Sequence, residues 1–108
     1  MVKTNDVLVG DDWRGTYCFV RVTRTTTKTV FAQTLKEKVS FPPTDAGHYD
    51  SRYREFEPVT PFEDDVCYKP LKLRWDRDRL RSGSSKNYTD VYYKAWDGIP
   101  VRAQRDHD

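Results

Sequence analysis

Residues 17–35 read YCFVRVTRTTTKTVFAQTL, and this stretch decides the fold. Aromatic and β-branched side chains fill its two ends, residues 17–22 and 29–35, a composition typical of strands. The polar linker between them is rich in threonine, whose branched side chain suits strand ends. The two runs therefore predict an antiparallel hairpin. In the first run, alternate residues fall on opposite faces, with Cys18, Val20 and Val22 on one and Tyr17, Phe19 and Arg21 on the other.

Working outward from this hairpin, further segments alternate apolar and polar residues with the period of a strand. They are residues 36–41, 68–75, 88–96 and 99–103. Within residues 68–75, the side chains of Leu71, Leu73 and Trp75 are predicted on one face, and those of Lys72 and Arg74 on the other. Asp97-Gly98 predicts a two-residue hairpin turn into a final edge strand.

Two polar segments are predicted as connections. Residues 42–65 begin with two prolines and form a long connection packed onto the body, and residues 76–87 are interpreted as a mobile basic loop. No segment shows a convincing amphipathic helix. The sequence therefore predicts one mostly β domain spanning residues 1–108. We expect five to six short strands in a small SH3-like barrel or a strongly curled antiparallel sheet, because closure removes exposed edges.

Composition and charge restrict the class of protein. The 108 residues carry a net charge of +2 although 33% of them are charged, and no apolar run approaches the roughly 20 residues that span a bilayer. The N-terminal residues lack the apolar stretch of a signal peptide. We therefore expect no membrane partner and a cytoplasmic location. There, Cys18 and Cys67 are not expected to form a disulfide.

The sequence does not assemble a recognisable catalytic or metal site. The two histidines, His48 and His107, lie in the long connection and at the chain end, and the cysteines lack zinc-finger spacing. An acidic run within residues 55–65 has no partner motif, and no phosphate-binding glycine loop or nucleophile elbow occurs. We expect a protein that is not an enzyme, with no catalytic residues, no metal and no cofactor.

The C-terminal part resembles a group of small phage and prophage proteins. Residues 92–100 read YYKAWDGIP, which is similar to the aromatic strand and Trp-Asp-Gly-x-Pro hairpin of that group. Residues 20–23 and 28–30 resemble its central region, and residues 54–59 resemble the linker that follows. The chain departs from the group at residues 11–15, where a longer segment rich in Gly and Tyr is usual. The group has no established activity, so the resemblance implies a phage origin and a fold without a mechanism. If the protein is phage-encoded, the expected cytoplasm is that of the host cell.

Charge is segregated along the chain. Residues 55–65 hold five acidic and no basic residues, whereas residues 69–86 hold seven basic and two acidic ones. The first hypothesis is that the basic strand and loop bind nucleic-acid phosphate, while Trp75 and Tyr92 stack on unpaired bases. The alternative is that the basic side chains pair with the acidic segment or only hydrate the surface. The candidate nucleic-acid-binding residues are Lys72, Arg74, Arg77, Arg79, Arg81 and Tyr92.

A second hypothesis is a protein partner, from the host or the phage, that docks on the aromatic and arginine-rich loop of residues 48–62. Tyrosine and arginine are enriched in the energetic centres of interfaces. The alternative is that these rings cap the open ends of a small barrel with little aliphatic core. The candidate protein-binding residues are Tyr49, Arg52, Tyr53, Arg54 and Phe56. The sequence leaves the oligomeric state open.

Overall fold

The computed structural model describes residues 2–11, 17–40, 53–82 and 91–104, which contain strands and no helix. The strands are β1 (Val7–Asp11), β2 (Tyr17–Thr25), β3 (Thr29–Thr34), β4 (Glu37–Ser40), β5 (Tyr53–Pro58), β6 (Leu71–Asp76), β7 (Arg79–Ser82), β8 (Val91–Ala95) and β9 (Val101–Gln104).

Six of these strands close into an antiparallel barrel in the order β1-β2-β3-β6-β7-β8, with β8 pairing back onto β1. The prediction of a small antiparallel β-barrel is confirmed. The other three strands form a separate antiparallel sheet in the order β4-β5-β9, which we call the second sheet. β4 follows β3 but belongs to the second sheet, so residues 37–40 form a new strand and do not extend the previous one.

The barrel interior is filled by the inward-facing residues of all six strands. Alternation places them there because successive side chains of a strand point to opposite faces. The hairpin predicted from residues 17–35 is confirmed by the pairing of β2 with β3, which contains an irregularity between Val22 and Arg24. The interior residues are Leu8, Val20, Val22, Val30, Ala32, Leu73, Leu80 and Tyr93.

A second apolar layer lies between the barrel wall and the second sheet. Phe19 is on the outward face of β2 yet is 0% exposed. Its ring centroid lies 5.4 Å from that of Trp96 at an interplanar angle of 72°, an edge-to-face contact. β2 is therefore buried on both faces. The layer consists of Val9, Phe19 and Leu35, with Val7, Tyr17, Phe56, Trp96 and Val101 packed against them.

The prediction of one long connection over residues 42–65 is wrong for its C-terminal half. Residues 53–58 form β5, the central strand of the second sheet, which pairs with both β4 and β9. The segment has only Phe56 as an apolar residue between charged ones, so its alternation is weak. It forms a strand because two neighbours pair with it.

The predicted hairpin at Asp97-Gly98 is also wrong. β8 belongs to the barrel, whereas β9 pairs with β5 in the second sheet, so residues 96–100 connect two sheets. The turn is fixed locally: Trp96 Nε1 donates to the Ile99 carbonyl at 2.8 Å, the Ile99 amide donates to Asp97 Oδ1 at 2.9 Å, and Gly98 has a φ of +84°.

The prediction of a mobile basic loop over residues 76–87 is wrong for the residues that the structure describes. Residues 79–82 form β7, which pairs with β6 and β8, and a two-residue turn at Arg77-Asp78 separates β6 from β7. β7 was not predicted, because Leu80 is its one apolar residue and a single apolar residue shows no alternation. Residues 83–87 lie outside the described part of the chain. The sequence also did not predict β1.

Candidate functional site

The outer wall of the barrel is divided into two halves. The half formed by β1 and the first part of β2 carries apolar residues and is covered by the second sheet. The rest of the wall is formed by β3, β6, β7 and β8, together with the end of β2, and lies outside the layer that the second sheet covers. We call it the basic face, and it carries Arg24, Phe31, Lys72, Arg74, Arg79, Arg81 and Tyr92.

Strand register places these side chains beside one another. Arg74 on β6 lies directly opposite Arg81 on β7, and Arg81 lies opposite Tyr92 on β8. Side chains of directly paired residues project from the same side of a sheet with their Cβ atoms roughly 5 Å apart. The three residues therefore form a row across the barrel strands. Asp11 on β1, opposite Tyr92, ends this row.

A second, parallel row lies on the other side of the face. Arg24 on β2 pairs with Phe31 on β3, and Phe31 pairs with Lys72 on β6. Arg79 is two residues from Arg81 on β7 and shares its side of the sheet. The structure thus brings five of the six candidate nucleic-acid-binding residues, which sequence analysis took from a strand and a loop, onto one continuous surface.

The sixth candidate, Arg77, occupies the turn between β6 and β7. Its φ of +60° lies in the left-handed region, which is costly for a residue with a Cβ. The side chain is exposed and helps to line a shallow cleft with Asp76, Asp78, Arg79 and Tyr92. Arg77 therefore extends the basic face at the end of the hairpin.

Both aromatic rings of the basic face have an arginine above them. The Cζ atom of Arg24 lies 4.2 Å from the centroid of the Phe31 ring, and the Cζ atom of Arg79 lies 5.5 Å from that of Tyr92. Both distances are within the range of cation–π attraction. These contacts hold two guanidinium groups over the sheet.

Trp75, the other ring considered for base stacking, lies beside the face and not on it. It has the inward direction of Leu73 but sits near the end of β6, where it is 40% exposed. With Arg74 and the turn residues 27–29 it lines an open cleft at the barrel end. Tyr92 is 37% exposed and points outward.

The acidic segment forms its ion pairs away from the basic face. Asp64 pairs with Arg21, Glu63 with Lys36, Glu57 with Lys38 and Glu55 with Arg102, at N–O distances between 2.9 and 3.8 Å. On the basic face itself, Asp76 lies 3.6 Å from Arg81. Within the described residues, no ion pair joins the acidic segment to the basic face, so the two charged segments do not neutralise each other there.

The candidate protein-binding residues are distributed differently. Tyr49 and Arg52 lie outside the described residues, as does the side chain of Tyr53, whose backbone belongs to β5. Arg54 is half-buried. Phe56 is half-buried in the layer between the sheets, where its ring centroid lies 5.9 Å from that of Tyr17. The Phe56 ring therefore packs between the barrel and the second sheet, which differs from the capping of the barrel ends in the alternative interpretation.

A polar contact is buried in the barrel wall. Tyr93 Oη lies 3.7 Å from Cys18 Sγ inside the barrel wall, and burial raises the pKa of the Tyr93 hydroxyl well above its ordinary value, with the nearby thiol adding to the effect. Among the described residues, no group of three or more His, Cys, Asp and Glu side chains could hold a metal ion. His48 and His107 lie outside them.

Sequence analysis missed two residues of the basic face, Arg24 and Phe31. Arg24 lies in the polar threonine run that was interpreted as the end of a strand, and Phe31 was counted only as a strand former. The outward direction of Phe31, opposite to that of the buried Val30 and Ala32, was available from alternation. Their position beside Lys72 depends on the pairing of β3 with β6, which alternation does not reveal.

Comparison with known proteins found no match for this chain among family models, curated proteins or solved structures. The described residues contain no helix of the length and apolar character needed to cross a membrane.

Proposed function

We propose that this protein is a non-enzymatic module that binds nucleic acid through the basic face. One observation carries the proposal: five cationic side chains lie on the barrel wall outside the layer that the second sheet covers, while the acidic segment is engaged with other cations. The five cations are Arg24, Lys72, Arg74, Arg79 and Arg81.

The physical basis is electrostatic. Each cation that contacts a phosphate releases a condensed counterion, which makes affinity fall steeply with salt. Asp76 lies on the face beside Arg81, and Asp11 lies at its margin opposite Tyr92. Cations therefore outnumber carboxylates on the described part of the face, although the whole chain carries only +2. Segregation, and not total charge, supplies the attraction for a polyanion.

Docking on a host or phage protein is less well supported. Of the residues chosen for it, Phe56 packs between the two sheets, and Tyr49 and Arg52 lie outside the described residues. The phage origin implied by the resemblance also stays a prediction. Affinity capture from host lysate at moderate salt separates the two functions: one stoichiometric protein retained after nuclease treatment contradicts nucleic-acid binding as the main role, and recovery of nucleic acid alone supports it.

The direct test is fluorescence anisotropy with labelled oligonucleotides of about 16 nucleotides, single-stranded and duplex, since small barrels occupy at most about that length. With five phosphate contacts, the affinity for a single strand should fall about 100-fold between 50 and 200 mM salt. Absence of binding to either form at the lower salt concentration overturns the proposal.

A matched pair of variants tests the location of the site. Lys72→Gln with Arg74→Gln removes two charges from the basic face, whereas Lys38→Gln with Arg102→Gln removes two from the second sheet, where their partners are Glu57 and Glu55. The first variant should bind more weakly and lower the salt slope by about 1.4 for a single strand. The second should bind like the parent protein. Equal losses in both variants contradict the site.

A further inference from the structure

The two arginine–ring pairs lie at opposite margins of the basic face. Arg24 and Phe31 belong to β2 and β3, whereas Arg79 and Tyr92 belong to β7 and β8. Lys72 and Arg74 on β6 lie between them. The face therefore has aromatic groups at both sides and cations in the middle.

The spacing of the rings follows from the sheet. Three strand-to-strand steps separate Phe31 on β3 from Tyr92 on β8, which is half of the way round the closed six-strand barrel. The path along the curved wall is about 14 Å at the backbone, and the two side chains project in diverging directions. Consecutive bases in a stacked strand rise by only about 3.4 Å. Two bases that contact the two rings are therefore not neighbours in one stack, and the strand between them must be free to turn its other bases outward.

The chemistry of each pair suits an unpaired base. Aromatic rings and guanidinium planes are the groups on which unstacked bases pack in sequence-tolerant binding. Arg24 and Arg79 are exposed above their rings, so a base can approach the guanidinium from the solvent side. Because the cation–π contact already restricts each arginine, less side-chain freedom is lost when the ligand binds. A duplex keeps its bases inside the stack and offers only phosphates to a barrel wall.

The geometry points to a single-stranded ligand, an inference that rests on the proposed function. The strand curves around the barrel from β3 over β6 and β7 to β8, with its phosphates on the cations of the basic face. One unpaired base stacks at the Arg24–Phe31 pair and a second at the Arg79–Tyr92 pair. Arg24 and Phe31 are thereby binding residues in addition to those chosen from the sequence. DNA and RNA share this chemistry, and the test includes both.

The experiment compares Phe31→Leu and Tyr92→Leu with the control Tyr68→Leu, which changes a tyrosine that is 59% exposed and lies outside the basic face. Each protein is titrated with single-stranded DNA, single-stranded RNA and duplex DNA of one sequence. Each face variant should weaken single-strand binding about 5- to 100-fold while leaving the salt slope unchanged. Duplex binding should be weaker than single-strand binding and insensitive to both changes, and the control should match the parent protein.

Because Phe31 is half-buried, thermal unfolding of each variant accompanies the titrations. Should Phe31→Leu unfold, Arg24→Gln takes its place, since it leaves the ring intact and should still weaken single-strand binding more than duplex binding. Equal affinity for duplex and single strand, or face variants that bind single strands as the control does, overturns this inference alone. Failure of every nucleic acid to bind at low salt overturns the proposed function as well.

Discussion

The ring of Tyr93 on β8 lies directly against the backbone of Gly10 on β1. A Cβ atom at position 10 would be 2.6 Å from Tyr93 Cε1 and 2.8 Å from Val91 Cγ1, closer than van der Waals contact permits. Gly10 and Tyr93 are paired in the strand register, and this pair is part of the seam that closes the barrel. The absence of a side chain at Gly10 therefore makes room for the largest residue of the barrel interior.

Gly10→Ala should consequently destabilise the protein. Overpacking a buried site of this kind costs about 1–3 kcal/mol, and each kcal/mol should lower the melting temperature by about 4–8 °C in a domain of this size. Thermal or urea unfolding measures the loss. In a Tyr93→Leu background the same change should cost less, because the ring that blocks the new methyl group is gone. An unchanged melting temperature for Gly10→Ala would show that Tyr93 does not lie there.

Phe19→Ala tests the burial of β2 on both faces. Removing a fully buried phenylalanine costs about 3–5 kcal/mol, whereas an outward-facing phenylalanine on a solvated barrel wall would cost far less. Urea unfolding distinguishes the two cases. Thr25→Ala, an exposed position on the same strand, serves as the control and should change stability by no more than about 0.5 kcal/mol. A loss for Phe19→Ala as small as that of the control would mean that the second sheet does not cover β2.

The buried Tyr93 hydroxyl predicts a pH dependence of stability at the alkaline end. Because its pKa is raised in the folded state, the folded protein retains the proton at pH values where the unfolded chain has lost it. Well below pH ~10, the ordinary tyrosine pKa, the Tyr93 hydroxyl keeps its proton in both states and does not affect the pH dependence of stability. Above it, this group should lower the free energy of unfolding by about 1.4 kcal/mol per pH unit.

Tyr93→Phe isolates that contribution. The variant loses the contact with Cys18 at every pH, but its free energy of unfolding should decline less steeply above pH ~10 than that of the parent protein. Tyr17, whose pKa is also raised by burial and by Asp11, contributes with the same sign in both proteins and cancels in the comparison. Identical alkaline slopes for the two proteins would contradict a buried Tyr93 hydroxyl.

Replacing Arg77 should change stability and nucleic-acid binding in different directions. Its φ of +60° costs about 1–2 kcal/mol in a residue with a Cβ, so Arg77→Gly should leave the protein as stable as before or stabilise it by up to about 1 kcal/mol. The same change should weaken binding to a single strand and lower its salt slope by about 0.7. Arg77→Lys retains both the charge and the backbone cost, and should change neither property. Destabilisation by Arg77→Gly would contradict the turn geometry.

Local pattern determined part of this fold. β2, β3, β6 and β8 follow from their alternation of apolar and polar residues, because the pleat of a strand gives sequence a period of two. Charge segregation was also visible, and it identified Lys72, Arg74, Arg77, Arg79, Arg81 and Tyr92 before their common surface was known. The absence of long apolar runs and of metal-ligand spacing is likewise a property of the sequence.

Tertiary structure decided the rest, because strand pairing is not local. β1 does not alternate apolar and polar residues, because both of its faces are buried. Leu8 faces the barrel interior and Val9 faces the second sheet. β5 and β9 are joined through pairs such as Glu55 with Arg102, far apart in the chain, so a turn signal at Asp97-Gly98 could not reveal the true partner of β9.

The basic face shows the same division. Lys72 and Arg74 are neighbours on one strand, and alternation alone puts them on one side. Phe31 reaches Lys72 only because β3 pairs with β6 in a particular register, and a slip of one residue would turn the Phe31 ring into the barrel. The sequence determined which residues are charged, aromatic or apolar. Barrel closure, through the register it imposes on every strand, determined which of them share a surface.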